Sequence, residues 1–199
     1  KDLPEKDLEH AYAASEAYRK ELTEPLREWV QLDPYFYPAQ LSLGLHLLAR
    51  GFQLRTYRLA RDIPKENLQE MAEVMSEAKA IFLHCLTLDR QATLAYTNLI
   101  HLRTQRGERG WEEYISALKA NPESMSLRRV MLRNLRTEWG GSEKAQRDFI
   151  QRPEHAQLSG QQKKQIEAQL LNQLAHHAFC FKHDKAKAKE YYLKSLEIY

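Results

Sequence analysis

Residues 43–51 read LGLHLLARG, and residues 78–85 read AKAIFLHC. These two stretches decide the fold. In the first, Gly44 follows one leucine and precedes others at helical spacing, and in the second, Ala78 is followed four positions later by Phe82. Small residues at helical spacing let two antiparallel helices approach closely, and a large ring fills the space beside them. The two stretches therefore predict a pair of packed helices.

The pattern of the second stretch recurs along the chain. A small residue is followed four positions later by an aromatic residue, and another small residue comes three positions after that. The small residues that begin the copies lie 32, 35 and 43 residues apart, near the period of about 34 residues that is typical of paired-helix repeats. The copies are Ala78, Phe82 and Cys85; Gly110, Tyr114 and Ala117; a partial copy with Ala145 and Phe149; and Ala188, Tyr192 and Ser195. We expect an all-α, irregular array of about four to five helix pairs, with the four aromatic residues buried between neighbouring helices.

These spacings resemble the tetratricopeptide repeat, in which a Leu-Gly pair and a later Gly mark the first helix of each pair. The resemblance implies an α-solenoid in which the first helices line a concave groove. We expect residues 1–199 to form a single helical-repeat domain. An insertion at residues 52–77 interrupts the repeat and is predicted to extend one second helix over residues 64–88.

The step Trp139-Gly-Gly-Ser142 is a further distinctive motif, in which two glycines permit a tight turn and the serine can cap the following helix. Taken with Trp29, the pair Asp33-Pro34 and the long insertion, it resembles a bacterial family of unknown function built from tetratricopeptide-like helices. The resemblance covers residues 22–150. It implies the fold and a bacterial origin, and it carries no assigned activity.

Composition and charge indicate a soluble protein with a small net charge of +3. Residues 1–33 carry nine acids and five bases, whereas residues 103–152 carry eleven bases and seven acids. The small net charge disfavours nucleic acid as a partner, since phosphate binding needs a concentrated basic excess, and the separation of charge could orient a protein partner.

No run of apolar residues in the sequence approaches the ~18 that a membrane span needs. Cys85 and Cys180, both in apolar helical patterns, are expected to be buried free thiols of a cytoplasmic protein; a processed export signal before Lys1 is the alternative.

Motifs of catalysis are lacking: the sequence has no phosphate-binding glycine loop, no Gly-x-Ser-x-Gly and no His-Glu-x-x-His. One cluster has the spacing of metal ligands, because His176, Cys180 and His183 would share one face of a continuous helix. The alternative is a helix whose cysteine faces a neighbour and whose histidines are exposed. We favour that alternative, and therefore predict no metal, no cofactor and no enzyme activity.

The predicted partner-binding groove is built from the residues of first helices that do not enter the core. In the third pair, strict repeat spacing would bury Arg129 and Arg133 without partners, so we shift the register to place Leu127, Val130 and Met131 inward. A similar shift in the last pair places Leu171, Leu174, Ala175 and Ala178 inward. The groove residues are then Leu41, Leu45, Leu48, Thr97, His101, Thr104, Gln105, Arg128, Arg136, Gln169, Asn172 and His176. The three leucines either form an apolar anchor for a partner or are covered by the N-terminal helices.

We therefore expect a non-enzymatic protein-interaction module, either an adaptor or scaffold or a bacterial immunity protein that neutralises a toxin. Its partner would be a protein, such as a toxin, or a peptide. Two alternatives remain: a metal-dependent or enzymatic module that uses the helix with His176, Cys180 and His183, and nucleic-acid binding through the arginine-rich residues 103–152.

Overall fold

The computed structural model describes residues 18–55 and 63–198, and within these ranges it contains helices and no strand. This confirms the all-α prediction. The chain divides into two compact units, with the boundary between Leu102 and Arg103. None of the helices found in the described ranges is long and apolar enough to cross a lipid bilayer.

The first unit is built on four α-helices, of which the last runs across the unit boundary. Their bounds are α1, Thr23–Leu32; α2, Tyr37–Arg55; α3, Lys65–Leu88; and α4, Thr93–Gln105. A short 3-10 helix, Lys20–Leu22, leads into α1. The predicted long helix over residues 64–88 is confirmed as α3, with Pro64 at its N-cap. Of the predicted insertion at residues 52–77, residues 56–62 lie outside the described ranges.

Helices α2 and α3 pack as an antiparallel pair. Residues early in α2 meet residues late in α3, as at Gly44 and Phe82, whereas Arg50 hydrogen-bonds to Glu70 near the start of α3. A Cβ atom at Gly44 would lie only 2.8 Å from the Phe82 ring, so the glycine is what permits the approach. The predicted small and aromatic positions of this pair are fully buried.

The second unit contains five α-helices and two short 3-10 helices among its described residues. The α-helices are α5, Trp111–Ala120; α6, Met125–Asn134; α7, Glu143–Ile150; α8, Gly160–Cys180; and α9, Lys185–Glu197. The 3-10 helices are Thr137–Trp139 and Pro153–His155. Ser142 accepts a hydrogen bond from the Ala145 backbone N–H and so caps α7, as the sequence predicts.

An aromatic cluster forms the core of the second unit. The rings of Tyr114 and Phe149, both predicted to be buried, have centroids 5.7 Å apart, and His155 meets Phe149 edge-on at 4.7 Å. The Tyr114 hydroxyl lies 3.2 Å from His155 Nε2, so the two polar atoms satisfy each other inside an apolar environment. These contacts bind α5, α7 and the Pro153–His155 turn into one core.

The last helix pair follows the predicted register with one correction. Leu171, Leu174, Ala175 and Ala178 are buried on α8, and Ala188 and Ser195 are buried on α9. Tyr192, however, was predicted to be buried and is 43% exposed, while its neighbour Tyr191 is buried. The two small positions of α9 are therefore as predicted, and the buried aromatic position is filled one residue earlier, by Tyr191.

Candidate functional site

The apolar end of the predicted groove is not an open surface. Leu41, Leu45 and Leu48 are all buried in the core of the first unit. Leu26 and Val30 of α1 pack against that core. The prediction that the three leucines form an exposed anchor is therefore wrong, and the alternative, in which an N-terminal helix covers them, describes the structure.

The groove residues predicted on α4 are at most half exposed. Thr97 is buried, and its hydroxyl donates a hydrogen bond to the Leu94 carbonyl at 2.9 Å, so it is not available to a partner. His101, Thr104 and Gln105 are half-buried on the last turns of the helix. The α4 segment accordingly offers less polar surface than the sequence predicts.

The prediction that Arg128 lines the groove is wrong, because its side chain is fully buried. Its guanidinium donates to the carbonyl oxygens of Ser124 at 2.8 Å, Pro122 at 2.7 Å and Glu154 at 2.9 Å. A buried cation needs such partners to offset its lost hydration. Arg128 thus ties the α5–α6 turn to the Pro153–His155 turn and plays a structural role. The register shift itself is right, since Leu127 and Met131 are buried while Arg129 and Arg133 are exposed.

Arg136 and His176 are the predicted groove residues that the structure brings together. They lie forty positions apart, and Arg136 Nη2 is 3.0 Å from His176 Nδ1. The same nitrogen donates to Glu138 at 2.6 Å. Burial is the largest influence on the pKa of Glu138 and acts to raise it, but the hydrogen bond and charge of Arg136, a backbone hydrogen bond and the nearby His177 together outweigh burial, and the net pKa is lowered. The charge of Arg136 is therefore already balanced by its own neighbour.

The remaining two groove residues lie on α8, one turn apart. The Gln169 side chain reaches the Arg129 carbonyl at 3.5 Å. Asn172 is exposed but accepts a hydrogen bond from Ser195 of α9 at 3.0 Å. These residues line a polar face of α8 whose hydrogen bonds are largely internal to the second unit.

The metal-binding alternative expects His176, Cys180 and His183 on one face of a continuous helix, and the structure does not place them so. Helix α8 ends at Cys180, and His183 lies beyond it with a φ of +56°, while the Asp184 N–H turns back to the Ala178 carbonyl. The three candidate ligands therefore do not share a helical face. Across residues 18–55 and 63–198, no group of three or more His, Cys, Asp or Glu side chains is arranged to hold a metal ion. Cys180 is exposed, which also corrects the expectation that both thiols are buried.

The basic character of residues 103–152 is largely neutralised. Five of its eleven Lys and Arg side chains form ion pairs, and Arg128 is buried as a sixth. Arg109 is also engaged, with the backbone carbonyls of Trp139 and Gly140. A nucleic-acid surface requires basic side chains that are free to meet phosphates, and this segment keeps few of them.

A different surface, not predicted as a site, has the composition of a protein interface. Trp29, Leu32, Tyr35 and Phe36 are all exposed around the α1–α2 turn, with Leu32 at 85% and Tyr35 at 78%. We call these four residues the aromatic patch. The rings of Trp29 and Phe36 have centroids 5.7 Å apart, so the exposed side chains form a contiguous surface. Trp and Tyr are enriched at the centres of protein interfaces, and clustered exposure of this kind is uncommon elsewhere.

The aromatic patch is held in place by α3. His84 of α3 lies 3.2 Å from the Pro34 carbonyl through its Nε2 atom, and its ring centroid is 6.5 Å from that of Tyr35. Gln40 donates to the same carbonyl at 2.7 Å. The turn that presents the patch is therefore fixed to the first helix pair, and a rigid surface loses little entropy on binding.

Acidic side chains surround the N-terminal side of the patch. Glu21, Glu24, Glu28 and Asp33 are exposed, and within the described ranges none of these carboxylates forms an ion pair. The nearest base on α1, Arg27, donates instead to Glu77 of α3 at 2.6 and 3.0 Å, and the pKa of Arg27 is raised mainly by this hydrogen bond. The patch thus combines apolar surface with exposed carboxylates that form no ion pair among the described residues.

Sequence reasoning missed the patch because its spacing resembles that of a core. Trp29, Leu32 and Phe36 lie at i, i+3 and i+7, the spacing of a buried helical stripe. The sequence feature that could have revealed the patch is Asp33-Pro34. It ends the helix after Leu32, so Phe36 does not lie on the same helical face as Trp29 and Leu32.

The fold and the patch together define an all-α helical protein that presents an apolar and acidic surface, without a site of evident chemistry in its described part. The chain belongs to the family described as Domain of unknown function (DUF4034), whose model matches residues 10–116, just over half of the 199 residues. The match includes the whole of the aromatic patch. A search of curated proteins and a search of solved structures each found no match.

Proposed function

We propose that this chain is a non-enzymatic protein-interaction module that binds its partner through the aromatic patch. The observation that carries the proposal is the exposure of four large apolar side chains within eight consecutive residues. Leaving such side chains in water costs roughly 25 cal/mol per Å² of apolar surface, a cost that a partner would remove. The surface is also rigidly supported, as an interaction surface benefits from being.

We further propose that the helices form an irregular tetratricopeptide-like array, in one domain of α-solenoid type. The antiparallel α2–α3 pair supports this proposal, with Gly44 against Phe82 at the two positions where the repeat has a small and an aromatic residue. Helices α8 and α9 are likewise antiparallel, because Asn172 in the middle of α8 meets Ser195 near the end of α9. Turns that a rigid scaffold holds in place commonly carry the contacts with partners.

The proposal includes two specific roles, an adaptor or scaffold and a bacterial immunity protein that neutralises a toxin. Both need a stable surface for one protein partner, and both fit a cytoplasmic protein whose two cysteines are free thiols. The partner separates them, because an immunity protein would capture a toxin and abolish its activity, whereas a scaffold would capture components of an assembly.

Affinity capture from a lysate of the source cell, followed by mass spectrometry, tests the proposal. Leu32→Ser combined with Tyr35→Ser removes the two most exposed side chains of the patch without touching the core. We expect the double variant to lose the proteins captured by the wild type. Leu68→Ser is the matched control, since Leu68 is also an exposed leucine but lies near the other end of α3, about 24 Å from His84. Equal capture by the wild type and the double variant would refute the proposed site.

A further inference from the structure

Helix α9 carries a second exposed apolar surface, which neither the fold nor the proposed function uses. Tyr192, Leu193 and Leu196 are exposed, with Leu196 at 70%. They lie beside the buried face formed by Ala188, Tyr191 and Ser195 and do not contribute to it. One face of α9 therefore packs on its own unit, and an adjacent face is apolar and open.

The same open face of α9 is positively charged in its first turns. At 100° per residue, Lys185, Lys189, Tyr192 and Leu196 fall within a sector of about 60°. Both lysines are exposed, and within the described residues neither forms an ion pair; Lys194, by contrast, is paired with Glu190. Read from the N-terminus, the face is basic and then apolar.

The exposed face of α1 has the complementary order. Glu24, Glu28 and Leu32 lie at i, i+4 and i+8 of α1, with Trp29 beside Leu32, so this face is acidic and then apolar. The spacing along the chain also matches, since Lys185, Lys189 and the exposed Leu193 lie at i, i+4 and i+8 of α9. Two helices laid parallel would place Lys185 near Glu24, Lys189 near Glu28 and Leu193 near Leu32 over a length of about 12 Å.

We propose that the aromatic patch and its acidic rim bind helix α9 of a second copy of this chain, in a parallel pairing. Charge complementarity selects this occupant, because α1 presents the exposed, unpaired carboxylates of Glu24 and Glu28 and α9 presents unpaired lysines next to exposed leucines. The inference rests on the proposed function, in that it uses the same patch and names the partner. The two surfaces differ, so the contact is heterologous: in a pair, one copy keeps its α9 face unused and the other keeps its aromatic patch unused.

A heterologous contact predicts that two variants, each lacking a different surface, can associate with each other when they are mixed. An α1 variant, Glu28→Lys with Leu32→Ser, loses the acceptor surface but keeps its α9. An α9 variant, Lys189→Glu with Leu196→Ser, loses the donor surface but keeps its α1. Each variant alone has only one working surface and is expected to stay monomeric, whereas a mixture of the two has one complete interface and is expected to form a one-to-one dimer.

Sedimentation velocity of the full-length chain over a wide concentration range tests the inference. We expect the wild type to associate in a concentration-dependent and salt-sensitive manner, and either variant to weaken association by about tenfold or more. All four substituted residues are exposed, and circular dichroism checks that the variants fold. Tyr35→Ser and Leu193→Ser provide a second pair if either double variant is misfolded.

Several results would overturn the inference. These are a wild type that is monomeric at every concentration, variants that associate as well as the wild type, or a mixture that stays monomeric. If the wild type is monomeric but still captures another protein in a patch-dependent way, self-association is wrong and the proposed function stands. If no protein depends on the patch at all, both are wrong.

Discussion

Replacing Gly44 with alanine tests the close approach of α2 and α3 directly. The new Cβ would lie 2.8 Å from Phe82 Cε1 and 3.1 Å from Ile81 Cγ2, whereas carbon atoms in contact prefer about 3.5–4.0 Å. Phe82 is fully buried, so its ring cannot swing into solvent. The helices must therefore separate or the ring must leave its rotamer.

The expected magnitude is the difference between two opposing effects. Alanine favours the helix over glycine by about 1 kcal/mol, and overpacking a dense core costs about 1–3 kcal/mol. Because the clash involves a rigid ring, we place the cost in the upper part of that range and expect a net loss of about 1–2 kcal/mol in the free energy of unfolding. Urea titration followed by circular dichroism measures it.

Gly51→Ala is the matched control on the same helix. Its Cβ would meet Met75 at 2.8 Å, but a methionine side chain has three rotatable bonds and can move aside. We expect this variant to lie closer to the wild type in stability than Gly44→Ala. If Gly44→Ala is as stable as the wild type or more stable, α2 and α3 do not pack closely at Gly44 and do not form a repeat-like pair.

Three further predictions concern the interior of the two units. Burial raises the pKa of Cys85 to about 12, so a thiol reagent at neutral pH should label Cys180 and spare Cys85 in the folded protein; equal labelling rates would contradict the structure. Arg128→Met removes the guanidinium that donates to three carbonyl oxygens, of which the Pro122 oxygen keeps a second donor in Gln157. We expect it to lower the free energy of unfolding by about 2–4 kcal/mol in urea titration. A loss below about 1 kcal/mol would show that Arg128 does not hold the two turns together. Burial lowers the pKa of His155 in the folded protein below the value of about 6.5 for a free histidine. As the pH falls below about 6.5, the unfolded chain therefore binds a proton more readily than the folded protein, and the free energy of unfolding decreases. His155→Gln should have a shallower loss of stability between about pH 7 and pH 5, and an unchanged slope would refute this assignment.

Local sequence patterns predicted the helix pairs well because packing constrains small and aromatic residues strongly. Ala78, Phe82, Tyr114, Ala117 and Phe149 are all buried as predicted, and the long helix α3 has nearly the predicted bounds. The arginine register was also right where burial cost decided it, since unpaired charges at positions 129 and 133 could not enter the core.

The candidate site was predicted poorly, and the reason is that exposure depends on which helices pack together. Leu41 and Leu32 are both leucines at helical spacing, yet the first is fully buried and the second is 85% exposed. No local pattern separates them, because α1 covers one and ends just after the other. Arg128 was placed in the groove for the same reason: its three carbonyl partners come from two turns, one of them 26 residues away.

The central claim, that the aromatic patch is the binding surface, is tested most directly by hydroxyl-radical footprinting. Oxidation of Trp29, Leu32 and Tyr35 would be measured in the purified chain at low concentration and again in the complex captured from the source cell. We predict that these three residues become protected in the complex, while the exposed Leu68 keeps its rate. Unchanged oxidation at the patch, with protection at Gln169 and His176 instead, would contradict the claim.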